Sequence, residues 1–147
     1  MAWAWAAGKS KGPNALVFTL QKLDPIPNGE GFDAHAIWKG AYVLDKYREG
    51  EITFIAKGSE VPLAGAAYET LQSRGAAARV VSMPSWELFE GPPEPYQQRI
   101  PPDAAQTRVA IQQRATPGCA RYAGRAAPAL RLPRLRRHAR GGTRPLD

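Results

Sequence analysis

The chain has 147 residues, 44% of them hydrophobic, with 20 Lys/Arg against 13 Asp/Glu and a single cysteine. That length suits one small domain; one cysteine excludes an internal disulfide and any multi-cysteine zinc site, and no apolar run approaches a membrane span. The net charge of +7 is concentrated at one end: residues 1–113 hold 11 Lys/Arg and 12 Asp/Glu, whereas 114–147 hold nine arginines and one acid, Asp147.

The start, Met1-Ala2-Trp3-Ala4-Trp5, lacks the basic opening and long apolar stretch of a secretory leader. A cytoplasmic location is therefore expected. Ala15 to Leu20 is a short apolar run after Gly12-Pro13 and predicts a buried strand. Asp24 to Ala36 carries Asp24-Pro25, Pro27-Asn28-Gly29 and Gly31, which favour turns and predict a linker. Gly40 to Leu44 is a second short strand candidate, and Tyr47 to Gly50 a polar turn.

Ile52 to Ala56 is rich in β-branched and aromatic residues and predicts a strand ended by Gly58. Ser59 is placed to cap a helix through its hydroxyl, with Glu60 and Pro62 suited to the first turn. Leu63, Ala64, Ala67, Tyr68 and Leu71 recur at spacings of three and four, predicting an apolar stripe. Gly75 stands where a left-handed residue would close the helix. Ala78 to Met83 predicts the next strand, so residues 52–83 form a βαβ unit with parallel strands. Pro84 stops that strand. Ser85 can cap a short helix through Trp86, Leu88 and Phe89, with Gly91-Pro92-Pro93 and Pro95 ending it. Arg108 to Ile111 is a further strand candidate.

From Arg114 onward the chain turns to Arg, Ala, Pro, Leu and Gly without a helical or alternating period. Unpaired arginines resist burial, and Pro128, Pro133 and Pro145 interrupt helices. Residues 114–147 are expected to be disordered or weakly ordered. Such a tail binds nucleic acid nonspecifically through counterion release, but no recognition motif and no aromatic set beyond Tyr122 organises it. Cys119 has no sequence context that supplies a base, neither at His35 nor at His138, and is expected to pack as a small residue.

Four ordered blocks carry a resemblance. They are Gly12-Pro13-Asn14-Ala15-Leu16-Val17-Phe18-Thr19, Lys39-Gly40-Ala41-Tyr42-Val43-Leu44, Gly58-Ser59-Glu60-Val61, and Val80-Val81-Ser82-Met83-Pro84-Ser85-Trp86-Glu87-Leu88-Phe89. Together they resemble the C-terminal part of the transketolase family, from about Gly12 to Ile111, fading by Gly124. The resemblance implies a three-layer α/β/α fold with a small, mostly parallel sheet, incomplete at its C-terminal edge. It divides the chain into 1–36, the end of a pyrimidine-binding domain plus a linker; 37–113, a partial C-terminal domain; and 114–147, the Arg/Ala/Pro-rich tail. The family would follow with a last strand, a Phe-Gly-Ala-Ser/Thr-x-Pro-like stretch and a closing helix. Leu135 to Arg140 can be encoded so that a one-base shift reads Phe-Gly-Ala-Thr-Pro-Gly. Our hypothesis is that the tail is unrelated or frameshifted; sequencing the gene and finding no family-like ending in either shifted frame would refute the frameshift.

The resemblance also implies a chemistry and its absence here. The family transfers a two-carbon ketol unit between sugar phosphates in the pentose phosphate pathway, using thiamine diphosphate and Mg2+. The metal and diphosphate need a Gly-Asp-Gly segment supplying hard oxygen ligands. This sequence contains none, and the glutamate that activates the cofactor would precede residue 1. The family's phosphate-gripping arginine falls at Leu20, followed by Gln21, and leucine cannot donate to a phosphate. Lys22 is the weak substitute candidate. No catalytic, cofactor or metal residue is expected, and the lone chain is expected to be inactive. Gly58-Ser59-Glu60-Val61 offers a helix N-terminus for an anion, with Lys57 adding charge, but Glu60 would repel a phosphate, so a structural turn is expected. Trp86 and Phe89 are expected in the core rather than at an interface. Expected partners are a chain carrying the cofactor-binding domains, or a second copy; no membrane contact is expected. The other reading is a non-catalytic interaction module whose basic tail binds nucleic acid or another polyanion.

Overall fold

The computed structural model describes residues 2–9, 11–18, 22–25, 32–44, 52–100, 107–112, 122 and 130–131. The elements are α1 (Ala2–Gly8), a 3-10 segment (Ala34–Lys39), β1 (Tyr42–Val43), β2 (Ile52–Ala56), a 3-10 turn (Gly58–Glu60), α2 (Val61–Gln72), β3 (Ala78–Ser82), α3 (Trp86–Phe89), α4 (Glu94–Arg99), β4 (Thr107–Gln112) and β5 (Leu130–Arg131). The five strands form one sheet in the order β1-β3-β2-β4-β5. β2 pairs in parallel with both β3 and β4, β4 pairs in parallel with β5, and β1 alone is antiparallel.

Strands with both faces covered read as continuous apolar runs, and β2 is buried from Thr53 through Ala56. Side chains alternate across the sheet, which splits the core in two. One face holds Phe54, Ala56, Ala78, Val80 and Ile111 under α2. The other holds Ile55, Val81, Met83, Phe89 and Ile100, with Trp86, Tyr96 and Tyr122 packed on it. Helices on both faces of a mostly parallel sheet make the expected three-layer α/β/α fold.

α2 begins differently from the expectation. Gly58 takes φ +54°, and the Glu60 amide donates to the Lys57 carbonyl at 3.2 Å, adding a 3-10 turn ahead of Val61. Ser59 is already inside that turn. Its hydroxyl donates to Glu60 Oε1 at 3.0 Å and caps nothing. The buried stripe is Val61, Ala64 and Gly65, with Ala67, Tyr68 and Leu71 at its margin. Leu63, expected in that stripe, is 41% exposed; it lies about 200° around the helix from Val61. The far end closes as expected. Gly75 has φ +77°, its amide donates to the Gln72 carbonyl, and the Ala76 amide donates to Leu71, both at 3.0 Å. This is the paired pattern of a Schellman terminus.

Ser85 caps α3, accepting from the Leu88 amide at 3.2 Å. Pro95 does not end that helix; it stands in the first turn of α4, where its missing N–H costs nothing. The linker expected over Asp24–Ala36 gives way at Ala34 to the 3-10 segment. Asp33 caps it by accepting from the His35 amide at 2.9 Å, and Gly40 (φ +81°) ends it.

One further expectation is corrected. The described part of Ala15–Leu20, residues 15–18, forms no strand, and Val17 and Phe18 are 92% and 65% exposed. A strand needs a hydrogen-bonded neighbour, and none of the five described strands lies beside this segment. α1 was not read from the sequence; it buries no residue, and Trp3 stacks on Phe18 with ring centroids 6.4 Å apart. Of the tail, Tyr122 and Leu130–Arg131 are described. Leu130 and Arg131 pair with Ile111 and Gln112 as β5, on the outer side of β4, and the Tyr122 ring stacks on Trp86 at 4.9 Å. β5 reaches only the last two residues of β4, so the C-terminal edge is covered in part. The segment Leu135–Arg140 lies outside the described residues.

Candidate functional site

In an open parallel sheet, ligands sit beyond the carboxyl ends of the strands where the strand order reverses. Here the chain leaves β2 for β3 on one side and reaches β4 on the other, so the reversal falls between β2 and β4. The residues at that mouth are Lys57, Gly58, Ser59 and Glu60. Lys57 is exposed. The Glu60 carboxylate, engaged by Ser59, sets a negative charge at the start of α2, where an approaching phosphate would meet it. Glu87 belongs to the same neighbourhood. Its carboxyl is held below the usual carboxylate range, first by its own backbone amide, next by the Ser85 hydroxyl at 2.9 Å, and more weakly by the Lys57 charge. Ser59 engages Glu60 and Ser85 engages Glu87, as in a structural turn.

The other sequence candidates are not brought together. Leu20, Gln21, Cys119 and His138 lie outside the described residues. Lys22 is exposed in a segment without regular structure. His35 is exposed, with Nδ1 3.2 Å from Asp33 Oδ1 and its ring edge-on to Trp38 at 4.8 Å. That pair belongs to the cap of the 3-10 segment. It holds the Asp33 carboxyl low, chiefly through the His35 backbone amide. Phe89 is buried and Trp86 half-buried, the core placement expected for both.

Two features were missed. Tyr96 donates to the Ala41 carbonyl at 2.7 Å, and Lys39 Nζ stands 4.6 Å from its ring centre; burial pushes its phenol up, helped by the Asp33 charge. The signal available was an aromatic in a Pro-flanked helix, too common to single out. The second is a row across the middle of the sheet. Thr53 is in register with Arg79 on β3 and with Arg108 on β4. Strand alternation alone would have shown that Thr53 and Ile55, Arg79 and Val81, and Arg108 and Ala110 share sides in pairs; only the register puts them in line.

Among the described residues, no group of three or more His, Cys, Asp or Glu side chains gathers to hold a metal ion. With no Gly-Asp-Gly in the sequence, the residues present do not fit a diphosphate-bound divalent cation. No described helix is long and apolar enough to cross a membrane.

The fold and its sequence blocks have close counterparts. Residues 40–133 match the model of the transketolase-like TK C-terminal domain. Transketolase from Geobacillus stearothermophilus is 36% identical over 142 residues, covering 95% of this chain and 21% of that protein. Transketolase 1 from Escherichia coli is 42% identical over 113 residues, covering 76% and 17%. Among solved structures, a transketolase mutant from Pichia stipitis aligns with a TM-score of 0.59 and 31% identity over 67% of this chain and 14% of that one. Transketolase from Campylobacter jejuni gives 0.58 and 30% over 69% and 15%. The chain belongs to the transketolase family, as its C-terminal domain. It spans about a fifth of the length of the relatives it matches. The family match extends to residue 133, past the fading expected by Gly124, and takes in Tyr122 and β5.

Proposed function

We propose that this chain is a non-catalytic transketolase C-terminal domain that acts by joining a chain carrying the cofactor-binding domains. The observation that carries this reading is the exposed pair Val17 and Phe18, 92% and 65% accessible. They lie where the family resemblance puts the last strand of the preceding domain. Large apolar side chains left in water mark a surface that a partner covers. The sequence gives no means of catalysis alone: Leu20 replaces the phosphate-binding arginine and Gly-Asp-Gly is missing.

The test has two arms. The purified chain, with thiamine diphosphate, Mg2+, a ketose phosphate and an aldose phosphate, should give no ketol transfer. Mixed with a transketolase fragment holding the two cofactor domains, it should co-elute on size exclusion. Turnover by the chain alone refutes the non-catalytic assignment. Failure to associate refutes the partner.

The nine arginines against one acid in residues 114–147 favour a second reading, a polyanion-binding module. It predicts salt-sensitive retention on a polyanion column that disappears on deletion of 114–147. It is abandoned if the deleted chain is retained equally.

A further inference from the structure

Val17 and Phe18 are exposed, as is Ala15, and Leu16 is half-buried. Neighbouring side chains of an extended chain point to opposite faces, so the run Ala15-Leu16-Val17-Phe18 is apolar on both. A strand of that kind belongs inside a sheet covered on both faces, and residues 15–18 are paired with none of the described strands. Lys9 to Asn14 link the run to α1, a connection of the length that joins a helix to a strand. α1 buries no residue, and its Trp3, 70% exposed, stacks on Phe18. Helix and run therefore make an αβ pair with exposed apolar side chains.

The matched relatives indicate what covers this pair. The C-terminal domain match begins at residue 40, whereas the match to the Geobacillus stearothermophilus transketolase takes in 95% of this chain. Most residues ahead of 40 therefore have counterparts in that relative, outside the stretch matched by the C-terminal domain. This chain spans only 21% of the relative, so a sheet to receive the run belongs to the part that this chain lacks. An extended segment added to a sheet gains main-chain hydrogen bonds from the new neighbour and pockets for its alternate side chains.

We propose that residues 2–18 are a donor element: α1 and the run 15–18 dock, as helix and strand, on the sheet of a transketolase chain that lacks its own copy of them. This rests on the proposed joining of a chain that carries the cofactor-binding domains, and it states what that chain must lack.

The test uses the full chain and two fragments of the Geobacillus transketolase. The short fragment ends just before the stretch that matches this chain; the long one continues through the counterparts of α1 and residues 15–18. The short fragment should bind at least about tenfold more tightly than the long one. In that complex the amides of Leu16, Val17 and Phe18 should exchange at least about tenfold more slowly than in the free chain. Val17→Asp should weaken binding of the short fragment by about tenfold or more. Its own Tm should not change, since Val17 is 92% exposed in the chain. Equal binding of the two fragments, or tighter binding of the long one, overturns the donor element and leaves the joining intact; binding of neither overturns both. Unslowed amides, or undiminished binding by Val17→Asp, also overturn the donor element. If the short fragment does not fold alone, it is co-expressed with the chain. Recovery of a soluble complex with the parent but not with Val17→Asp then supports the proposal; no recovery, or equal recovery with both, overturns it.

Discussion

Gly40 and Ser85 lock the 3-10 segment to α3: the Ser85 amide donates to the Gly40 carbonyl at 3.2 Å. The first turn of α3 then lies so close that a Cβ on Gly40 would run into the Phe89 amide nitrogen and the Ser85 carbonyl oxygen. Gly40 also sits at φ +81°. Both the approach and the conformation require a residue without a side chain. Gly40→Ala should cost about 3 kcal/mol or more, read as a lower midpoint in urea with little change in slope. A loss under about 1 kcal/mol would show that α3 moves aside freely.

Ser85 and Glu87 act together at the start of α3. Ser85→Ala should cost about 1 kcal/mol by removing the cap on Leu88. Because the folded-state pKa of Glu87 lies below its unfolded value, its contribution is present above the ordinary carboxylate range and is lost as pH falls through the folded pKa. Asp33 is shifted in the same direction. Denaturation midpoints should fall on acidification, and Glu87→Gln should flatten part of that slope. A mutant with the parent's acid limb would remove Glu87 from the account.

Tyr96 behaves in the opposite sense. Its phenol is pushed above its ordinary value, so its contribution is present at neutral pH and lost as pH rises through the folded pKa. Ultraviolet titration should show a tyrosine step above the ordinary phenol value, and Tyr96→Phe should remove that step. The same substitution strips the Ala41 carbonyl of its 2.7 Å donor and should cost about 1 kcal/mol.

Truncation separates the contributions of Tyr122 and β5. A chain ending at Gly124 keeps Tyr122 but loses β5; a chain ending at Gln113 loses both. Tyr122 stacks on Trp86 and meets Phe89 edge-on at 5.5 Å. The shorter chain should melt lower than the longer one, and Tyr122→Ala alone should cost about 2–3 kcal/mol. Identical melting of the two truncated chains would show that Tyr122 contributes nothing.

The centre of the fold was legible because local signals agreed with the tertiary outcome. Ile52–Ala56 and Ala78–Ser82 are mainly apolar runs with all but Ile52 and Arg79 buried, and Ser85 and Gly75 bound elements in the way their chemistry favours. Legibility failed where a partner decides. Val17 and Phe18 have the composition of a strand but are paired with none of the described strands. Leu130 joins β4 although arginines and prolines hide any period around it. The capping role of Ser59 was lost to a preceding turn that Gly58 alone permits at φ +54°. The Thr53 row could not be read from the sequence, since Arg79 and Arg108 are neighbours of Thr53 only through strand register.

The position of β2 has a consequence for biosynthesis. The strand at the heart of the sheet is the first of the three parallel central strands to be made. Its partner on one side begins 26 residues later, at Ala78, and its partner on the other 55 residues later, at Thr107. On the ribosome, the β2–α2–β3 unit can therefore form while one edge of β2 still waits with open amides and carbonyls. That interval ends only when β4 emerges from the exit tunnel. Slow translation between Ser82 and Thr107 would prolong it and favour aggregation of nascent chains through the open edge. A chaperone that holds nascent chains would be needed most in that window.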